Sequence, residues 1–402
     1  MTKQYIKLVT LAAMFGVNAN AQQLQNPTFD AEWVNCYPWE KGDYSTTAKG
    51  TQPEGWCVSN VPNIKMVITI TTPEVAEVIE RENDGDKAVK LSNVTMSGQT
   101  IPAYMTLGTT WATAESNITG SVRNEDGGAF GGIPFTYHPD AIQLQYKHDI
   151  SNGDEQMSVI AYLWKGTWTQ AEVPSNTAVG AFSWGTAEKV TMTDRANNIL
   201  DKECLQGGEI TKTDDATLIA SVETYIPEAV SSWTTLTAEL NYGEYAGQAV
   251  DVEKLNIIIS ASDFFGPREN IVAGNSVCID NVKLLYYHAL KALAYEGAAL
   301  DFVEGTYTYD LSTVTSFDPT KLSYTVKGQG ATATTNYNEE THLLTIRVEG
   351  EDFATDPTAF TEYTIQFGFE PEPEPVEGDI DGDGKVGVND ITKLINIYLK
   401  GE

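Results

Sequence analysis

The sequence predicts an all-β protein: a jelly-roll-like β-sandwich, then a small immunoglobulin-like sandwich, then a short C-terminal EF-hand-like loop and helix. Three observations support this prediction. Short runs of β-branched and aromatic residues recur between turn residues, and helical periodicity is scarce. An alternating Glu/Pro stretch then interrupts the pattern. Aspartates at every second position follow it, ahead of one short helical segment.

The first 21 residues are typical of a secretory signal peptide. Two lysines precede the apolar run LVTLAAMFGV, which is too short to span a bilayer. Ala19 and Ala21 form a small-x-small cleavage pattern, and no cysteine follows directly to carry a lipid. We therefore expect a secreted, cell-surface or periplasmic protein without a transmembrane segment.

The charge of the chain narrows the choice of partners. With 25 basic and 56 acidic residues, the formal net charge is −31. A surface this acidic repels phosphate backbones, which argues against nucleic acid as a partner. It is compatible with calcium and with neutral polymers.

Three folded segments follow the predicted signal peptide. Residues 22–288 contain strand-like runs such as AIQLQYKHDI, MSVIAYLWKGTW and KLNIIISASDFFG, and their length fits one elaborated sandwich. Residues 289–369 have turns about every eight to twelve residues and predict the smaller sandwich. Residues 370–378 form an extended spacer, because proline stiffens the backbone and the glutamates repel each other. Residues 379–402 form the terminal loop and helix.

The four cysteines suit an oxidising compartment without fixing their pairing. Cys36 and Cys57 would close a short loop, and Cys204 and Cys278 could form a second bridge. Sequence allows three pairings, and buried free thiols are the alternative. No Cys/His spacing typical of zinc is present.

The stretch DIDGDGKVGVND, residues 379–390, matches the EF-hand calcium loop. Calcium prefers six to eight oxygen ligands, and the loop supplies carboxylates at positions 1, 3, 5 and 12. Gly384 at position 6 permits the sharp turn. The predicted ligands of Ca²⁺ are the side chains of Asp379, Asp381, Asp383 and Asp390 and the backbone carbonyl of Lys385.

Two features make this loop resemble the dockerin type I repeat, the calcium module that attaches polysaccharide-degrading enzymes to cohesin scaffolds. A Glu/Pro spacer rather than a helix enters the loop, and aspartate rather than glutamate closes it. The resemblance covers residues 378–400 and implies a cohesin-like partner. Dockerins carry two such repeats and this chain has one, so an intramolecular partner is the alternative. The following helix needs a partner in either case, since Ile391, Leu394, Ile395 and Tyr398 share one face.

The large segment resembles carbohydrate-binding jelly rolls at its two ends, in LQNPTFDAEW with PEGWCVSN and in GNSVCIDNVKLLYY. Its middle, GGIPFTYHPDAIQLQYKH, is similar to PCMD, a carbohydrate metabolism domain family of secreted gut Bacteroidetes proteins. Residues 290–368, which follow the large segment, resemble cadherin-like or immunoglobulin-like sandwiches. The resemblance implies glycan binding, and it implies a structural calcium ion held by Asp30 and Asp280.

Exposed aromatic rings are the expected sugar-binding groups, because the flat C–H faces of pyranose rings lie on indole or phenol rings. Trp164 and Trp168 bracket a tight Lys-Gly turn, and Trp39 and Trp111 lie in turn-rich sequence. We predict these four tryptophans as ligand-binding residues. The alternative for each of them is a place in the core.

The sequence contains no positive sign of catalysis. Neither a GxSxG elbow nor an HExxH motif is present, and a catalytic carboxylate pair cannot be identified among so many acids. We therefore predict a carbohydrate-binding protein of extracellular polysaccharide utilisation. The alternatives are a glycan-degrading hydrolase with an unidentified carboxylate pair and a surface adhesin or assembly protein.

Overall fold

The structure is a computed structural model. It describes residues 23–36, 40–41, 44–45, 50–60, 64–65, 69–70, 73–81, 86–96, 99–116, 122–130, 132–151, 153, 155–166, 171–172, 191–192, 217–266, 270–369 and 376–400. The predicted signal peptide and most of the Glu/Pro spacer lie outside these residues.

The chain divides into two compact units. The first unit comprises residues 1–289 together with the segments 327–332 and 349–360. The second unit comprises residues 290–326, 333–348 and 361–402.

Two antiparallel sheets form the framework of the first unit. The six-stranded sheet runs in the order Thr217–Ile226, Met157–Lys165, Lys254–Ser260, Tyr104–Thr106 and Cys57–Val58, with Ile133–Pro134 also paired to Lys254–Ser260. The five-stranded sheet runs in the order Val230–Glu239, Ala141–Asp149, Ser276–Leu285, Lys87–Ser92 and Ala76–Glu80.

The inner faces of the two sheets form one core. In Ala141–Asp149 the side chains of Ile142, Leu144 and Tyr146 are buried in it, while Gln143 and Gln145 between them are only half-buried. This alternation follows from the two-residue period of a strand that is apolar on one side. The prediction from AIQLQYKHDI is thus confirmed at the level of single side chains.

Met157–Lys165 departs from this alternation, because every residue from Met157 to Trp164 is buried. A second apolar cluster covers the outer face of the six-stranded sheet and explains the difference. Its members are Tyr104, Ala129, Ile160, Tyr162, Trp164 and Ile258, with Leu218, Phe264 and Phe265 packed against them.

Shorter antiparallel strand pairs complete the first unit. They are Trp33–Asn35 with Thr51–Pro53, Glu40–Lys41 with Tyr44–Ser45, Ile64–Lys65 with Thr69–Ile70, Val94–Met96 with Gln99–Ile101, Thr109–Ser116 with Val122–Phe130, and Ala171–Glu172 with Thr191–Met192. A 3₁₀-helix spans Gly243–Tyr245.

The smaller sandwich contains a two-stranded and a four-stranded sheet. The first pairs Leu290–Tyr295 with Leu322–Val326, and the second runs in the order Thr308–Leu311, Phe360–Phe367, Leu343–Glu349 and Thr332–Asn338. A 3₁₀-helix spans Pro319–Lys321. The α-helix Val388–Lys400 is the one α-helix in the described part of the chain. The all-β fold class is confirmed.

Candidate functional site

Three aspartates of the terminal loop lie close together. One carboxylate oxygen from each of Asp379, Asp381 and Asp383 lies within 4.8 Å of those of the other two. They form the one cluster of potential metal ligands found among the described residues. Partial desolvation raises the pKa of Asp381, and the neighbouring carboxylates raise it further.

Backbone amides hold the first aspartate in place. Asp379 Oδ1 accepts hydrogen bonds from the N–H groups of Gly382 (2.7 Å) and Asp383 (3.2 Å). Its Oδ2 accepts one from Gly384 at 2.7 Å. Gly382 and Gly384 both have a φ of 81°, the left-handed conformation that glycine tolerates best. The loop therefore winds around the Asp379 carboxylate.

Asp390, the predicted ligand at position 12, is held by backbone amides of the loop. Its side chain is 3% exposed, and it is absent from the three-carboxylate cluster. Its Oδ1 accepts hydrogen bonds from the N–H groups of Ile380 and Asp381, and its Oδ2 accepts one from Gly387. These amides lower the pKa of Asp390. In this structure Asp390 joins the two ends of the loop.

The helix that follows the loop exposes its apolar side chains. Each is at least 41% exposed, including all four residues predicted to share one face. The exposed residues are Val388, Ile391, Leu394, Ile395, Ile397, Tyr398 and Leu399.

Trp164 lies in the interior, so its prediction as a sugar-binding residue is wrong. Its side chain is 0% exposed and packs against Tyr162, with the ring centroids 5.4 Å apart. Gly132 lies so near that a Cβ atom there would be 2.7 Å from the indole ring. The Lys-Gly turn was a misleading signal, because the second apolar cluster covers the strand that ends there.

The other predicted tryptophans remain predictions. Trp111 lies in the strand Thr109–Ser116, and its side chain is outside the described part of the structure. Trp39 and Trp168 are outside the described residues altogether.

Asp30 and Asp280, the ligands of a structural calcium ion that the resemblance implies, have other partners in the structure. Asp280 is 1% exposed, and its Oδ2 accepts a hydrogen bond from Arg81 Nη1 at 2.7 Å. Asp30 Oδ1 accepts one from the backbone N–H of Lys87 at 2.9 Å. A guanidinium group thus pairs with Asp280, and calcium between the two carboxylates stays a prediction.

The cysteines that the structure describes are free thiols. Cys36 is buried, and Cys57 and Cys278 are half-buried. The bridge between Cys36 and Cys57 is therefore not formed, and Cys204, the partner considered for Cys278, lies outside the described residues. Burial, the largest effect, raises the pKa of Cys57 to about 11. At neutral pH this thiol is protonated and a weak nucleophile.

A group of partly exposed side chains that was not predicted from the sequence lies on the outer face of the six-stranded sheet. We name it the edge patch. It consists of Gln156, Glu223, Tyr225, Asp263, Phe264 and Phe265. The alternation in TLIASVETYI, which places Glu223 and Tyr225 on one face, and the adjacent aromatics in SASDFFG were the signals available.

Comparisons with known proteins give only distant likenesses. No family model matches the chain, and no curated protein matches it. A proposed glycoside hydrolase from Bacteroides vulgatus is 14% identical with a TM-score of 0.32, covering 53% of this chain and 77% of that one. Another from Bacteroides thetaiotaomicron is 13% identical with a TM-score of 0.34, covering 64% and 71%. The adhesin domain of Epf from Streptococcus pyogenes is 7% identical with a TM-score of 0.22, covering 74% and 85%.

These TM-scores are too low to assign a family or an activity. No helix in the described part of the chain is long and apolar enough to cross a bilayer.

Proposed function

We propose that this chain is a secreted carbohydrate-binding protein of extracellular polysaccharide utilisation, with a C-terminal loop that binds Ca²⁺. The observation that carries the calcium part is the clustering of Asp379, Asp381 and Asp383 within 4.8 Å. Like charges so close together repel each other, and a divalent cation between them would remove that repulsion.

The residues of the loop fit a calcium ion in their chemistry. All three clustered side chains offer the hard oxygen ligands that calcium prefers, and they occupy positions 1, 3 and 5 of the motif. The hydrogen bonds from Gly382, Asp383 and Gly384 fix the carboxylate of Asp379. The Lys385 carbonyl at position 7 would be a further ligand. Asp390 accepts three backbone hydrogen bonds, as Asp379 does, and a carboxylate has about four lone-pair sites, so it can still offer an oxygen to the ion.

The exposed apolar side chains of the terminal helix support the proposal of a docking partner. Ile391, Leu394, Ile395 and Tyr398 are each at least 50% exposed. An apolar face of this kind is stabilised when another surface covers it. A cohesin-like protein would cover it in the manner of dockerin repeats, and another part of this chain is the alternative.

Carbohydrate binding is supported by the β-sandwich fold and by the motifs at both ends of the large segment. Aromatic residues make up 10% of the chain. Glycan recognition uses such rings together with a few polar groups.

Affinity electrophoresis tests the proposed function directly. The chain lacking residues 1–21 would migrate through gels that contain single plant or host polysaccharides, beside a non-binding control protein. We expect at least one neutral polysaccharide to retard it without releasing new reducing ends. Retardation with new reducing ends would instead support the hydrolase, and equal mobility in every gel would support the adhesin or assembly protein.

A further inference from the structure

We propose that the edge patch of the six-stranded sheet is the binding site for a neutral polysaccharide. This inference rests on the proposed carbohydrate binding and names its location and ligand class. All six side chains of the patch are partly exposed, and the strand Thr217–Ile226, which carries two of them, is the outermost strand of the sheet.

Strand register brings the members of the patch together. Tyr225 lies opposite Ser158, and Glu223 lies opposite Ile160, on the neighbouring strand. Residues directly opposite in an antiparallel pair project from the same face. Ser158 Oγ accepts a hydrogen bond at 3.2 Å from the backbone N–H of Phe264. The turn that contains Phe264 therefore lies over the face from which Tyr225 projects.

The aromatic part of the patch has a fixed geometry. Phe264 packs edge-to-face against Tyr104 with 5.1 Å between ring centroids, and Phe265 packs edge-to-face against Phe264 at 5.4 Å. Both phenylalanines also pack against the buried Ile160 cluster. Rings held in this way lose little further freedom on binding, and their C–H and π surfaces suit the apolar faces of a pyranose.

The polar part of the patch is held by hydrogen bonds between its own members. Tyr225 Oη donates to Glu223 Oε2 at 2.7 Å. Gln156 Nε2 donates to Asp263 Oδ2 at 3.1 Å, and the backbone N–H of Phe265 donates to Asp263 Oδ1 at 3.2 Å. A carboxylate has about four lone-pair sites, so each can also accept a hydrogen bond from a sugar hydroxyl.

The charges of the patch select among glycans. Both acidic residues of the patch, Glu223 and Asp263, are partly exposed. The chain as a whole has a formal charge of −31. Uronic acids and sulfated sugars would be repelled, whereas the hydroxyl groups of neutral sugars donate to carboxylates. The class that fits is a neutral, hydroxyl-rich polysaccharide.

A matched pair of variants tests the patch. The double variant Glu223→Gln and Tyr225→Phe removes one charge and one hydroxyl from it with little change in volume. The control is Glu239→Gln with Tyr287→Phe, because Tyr287 Oη donates to Glu239 Oε1 at 3.2 Å in a similar pair away from the patch. A third variant, Phe265→Ala, removes one ring.

The probes are soluble mannan, xylan, laminarin and dextran, with polygalacturonate as the acidic counterpart, each in affinity electrophoresis of the chain lacking residues 1–21. We expect a neutral probe to retard the wild type. The patch double variant and Phe265→Ala should each raise the dissociation constant about tenfold, the loss expected for removing charge-assisted hydrogen bonds or a stacked ring. The control pair should bind as the wild type does.

The results of this experiment distinguish an error in the location of the site from an error in the proposed carbohydrate binding. Equal binding by the wild type and both patch variants overturns the edge patch and leaves the proposed carbohydrate binding in place. Retardation by polygalacturonate alone overturns the neutral ligand class. A wild type that no probe retards overturns the carbohydrate-binding function, and the edge patch with it. Near-ultraviolet circular dichroism of each variant identifies any loss of binding that comes from misfolding.

Discussion

At the residue scale, Glu155 shows how the sandwich tolerates a buried acid. Its side chain is 7% exposed, and its Oε2 accepts hydrogen bonds from Asn275 Nδ2 (2.8 Å), the Val272 N–H (3.0 Å) and Asn93 Nδ2 (3.2 Å). Asn93 directly follows the strand Lys87–Ser92, and Asn275 directly precedes the strand Ser276–Leu285. The hydrogen bonds to Glu155 therefore join the ends of two neighbouring strands of the five-stranded sheet. Burial nevertheless dominates and raises the pKa of Glu155.

This raised pKa predicts a pH dependence of stability. The folded state binds the Glu155 proton more tightly than the unfolded state, whose pKa is near 4.5. The contribution of Glu155 to the free energy of unfolding is therefore largest below pH 4.5 and is lost as the pH rises through the folded pKa. Because glutamine does not titrate, the stability of the wild type relative to Glu155→Gln should fall as the pH rises over this window.

Urea unfolding of both proteins at a series of pH values checks this. Tryptophan fluorescence reports the first unit, since all eight tryptophans precede residue 234. A difference between the two proteins that stays constant with pH would contradict the assignment of Glu155 as a buried, titrating group.

Single residues also show where sequence reasoning succeeds and fails. The spacing of Asp379, Asp381 and Asp383 predicted a cluster because all three lie in one short loop whose geometry is local. Trp164 was misassigned because its surroundings come from distant parts of the chain, such as Gly132 and Ile258. A sequence pattern reports which face of a strand a side chain occupies, but it does not report what covers that face.

At the element scale, the terminal loop depends on two glycines in the left-handed region. Gly384 has a φ of 81°, and a Cβ atom added there would meet no atom within 4 Å. Replacing it with alanine therefore costs backbone strain alone, about 1 kcal/mol. Gly387 provides a matched position in the same loop, since its added Cβ would make only an ordinary contact with Asp390 Oδ2 at 4.0 Å.

We expect Gly384→Ala to weaken calcium binding about fivefold, because the free loop of the variant can leave the left-handed conformation and calcium binding would have to restore it at the cost of that strain energy. Gly387→Ala should bind calcium as the wild type does. Titration calorimetry of the two variants measures the difference. Equal affinities would show that the loop binds calcium in another backbone conformation, or not at all.

Elements with a clear alternation of apolar and polar residues were predictable from the sequence. Features that depend on packing between distant segments were not. The strand Ala141–Asp149 was visible in its alternation because one of its faces meets the core. Met157–Lys165 reads as a continuous apolar run, and its burial on both faces depends on the cluster around Tyr162. The edge patch was missed because Glu223 and Asp263 are far apart in sequence, and only strand pairing brings their segments together.

At the scale of the whole molecule, the chain combines two β units with an acidic tail. The order of a large sandwich, a small sandwich and a terminal helix was predictable from composition and turn spacing. Residues 327–332 and 349–360 belong to the first unit, and this was not predictable. No sequence pattern in these two segments indicates which unit they join. The charge of −31 suits both functions proposed, since it favours calcium and disfavours anionic polymers.

Calcium titration of the chain lacking residues 1–21 is the most direct test of the proposed tail. We expect a calcium site in the wild type that the double variant Asp379→Ala and Asp383→Ala loses. Glu377→Gln, just outside the loop, should retain the site. A wild type that binds no calcium, or a double variant with unchanged stoichiometry, would contradict the assignment of the loop.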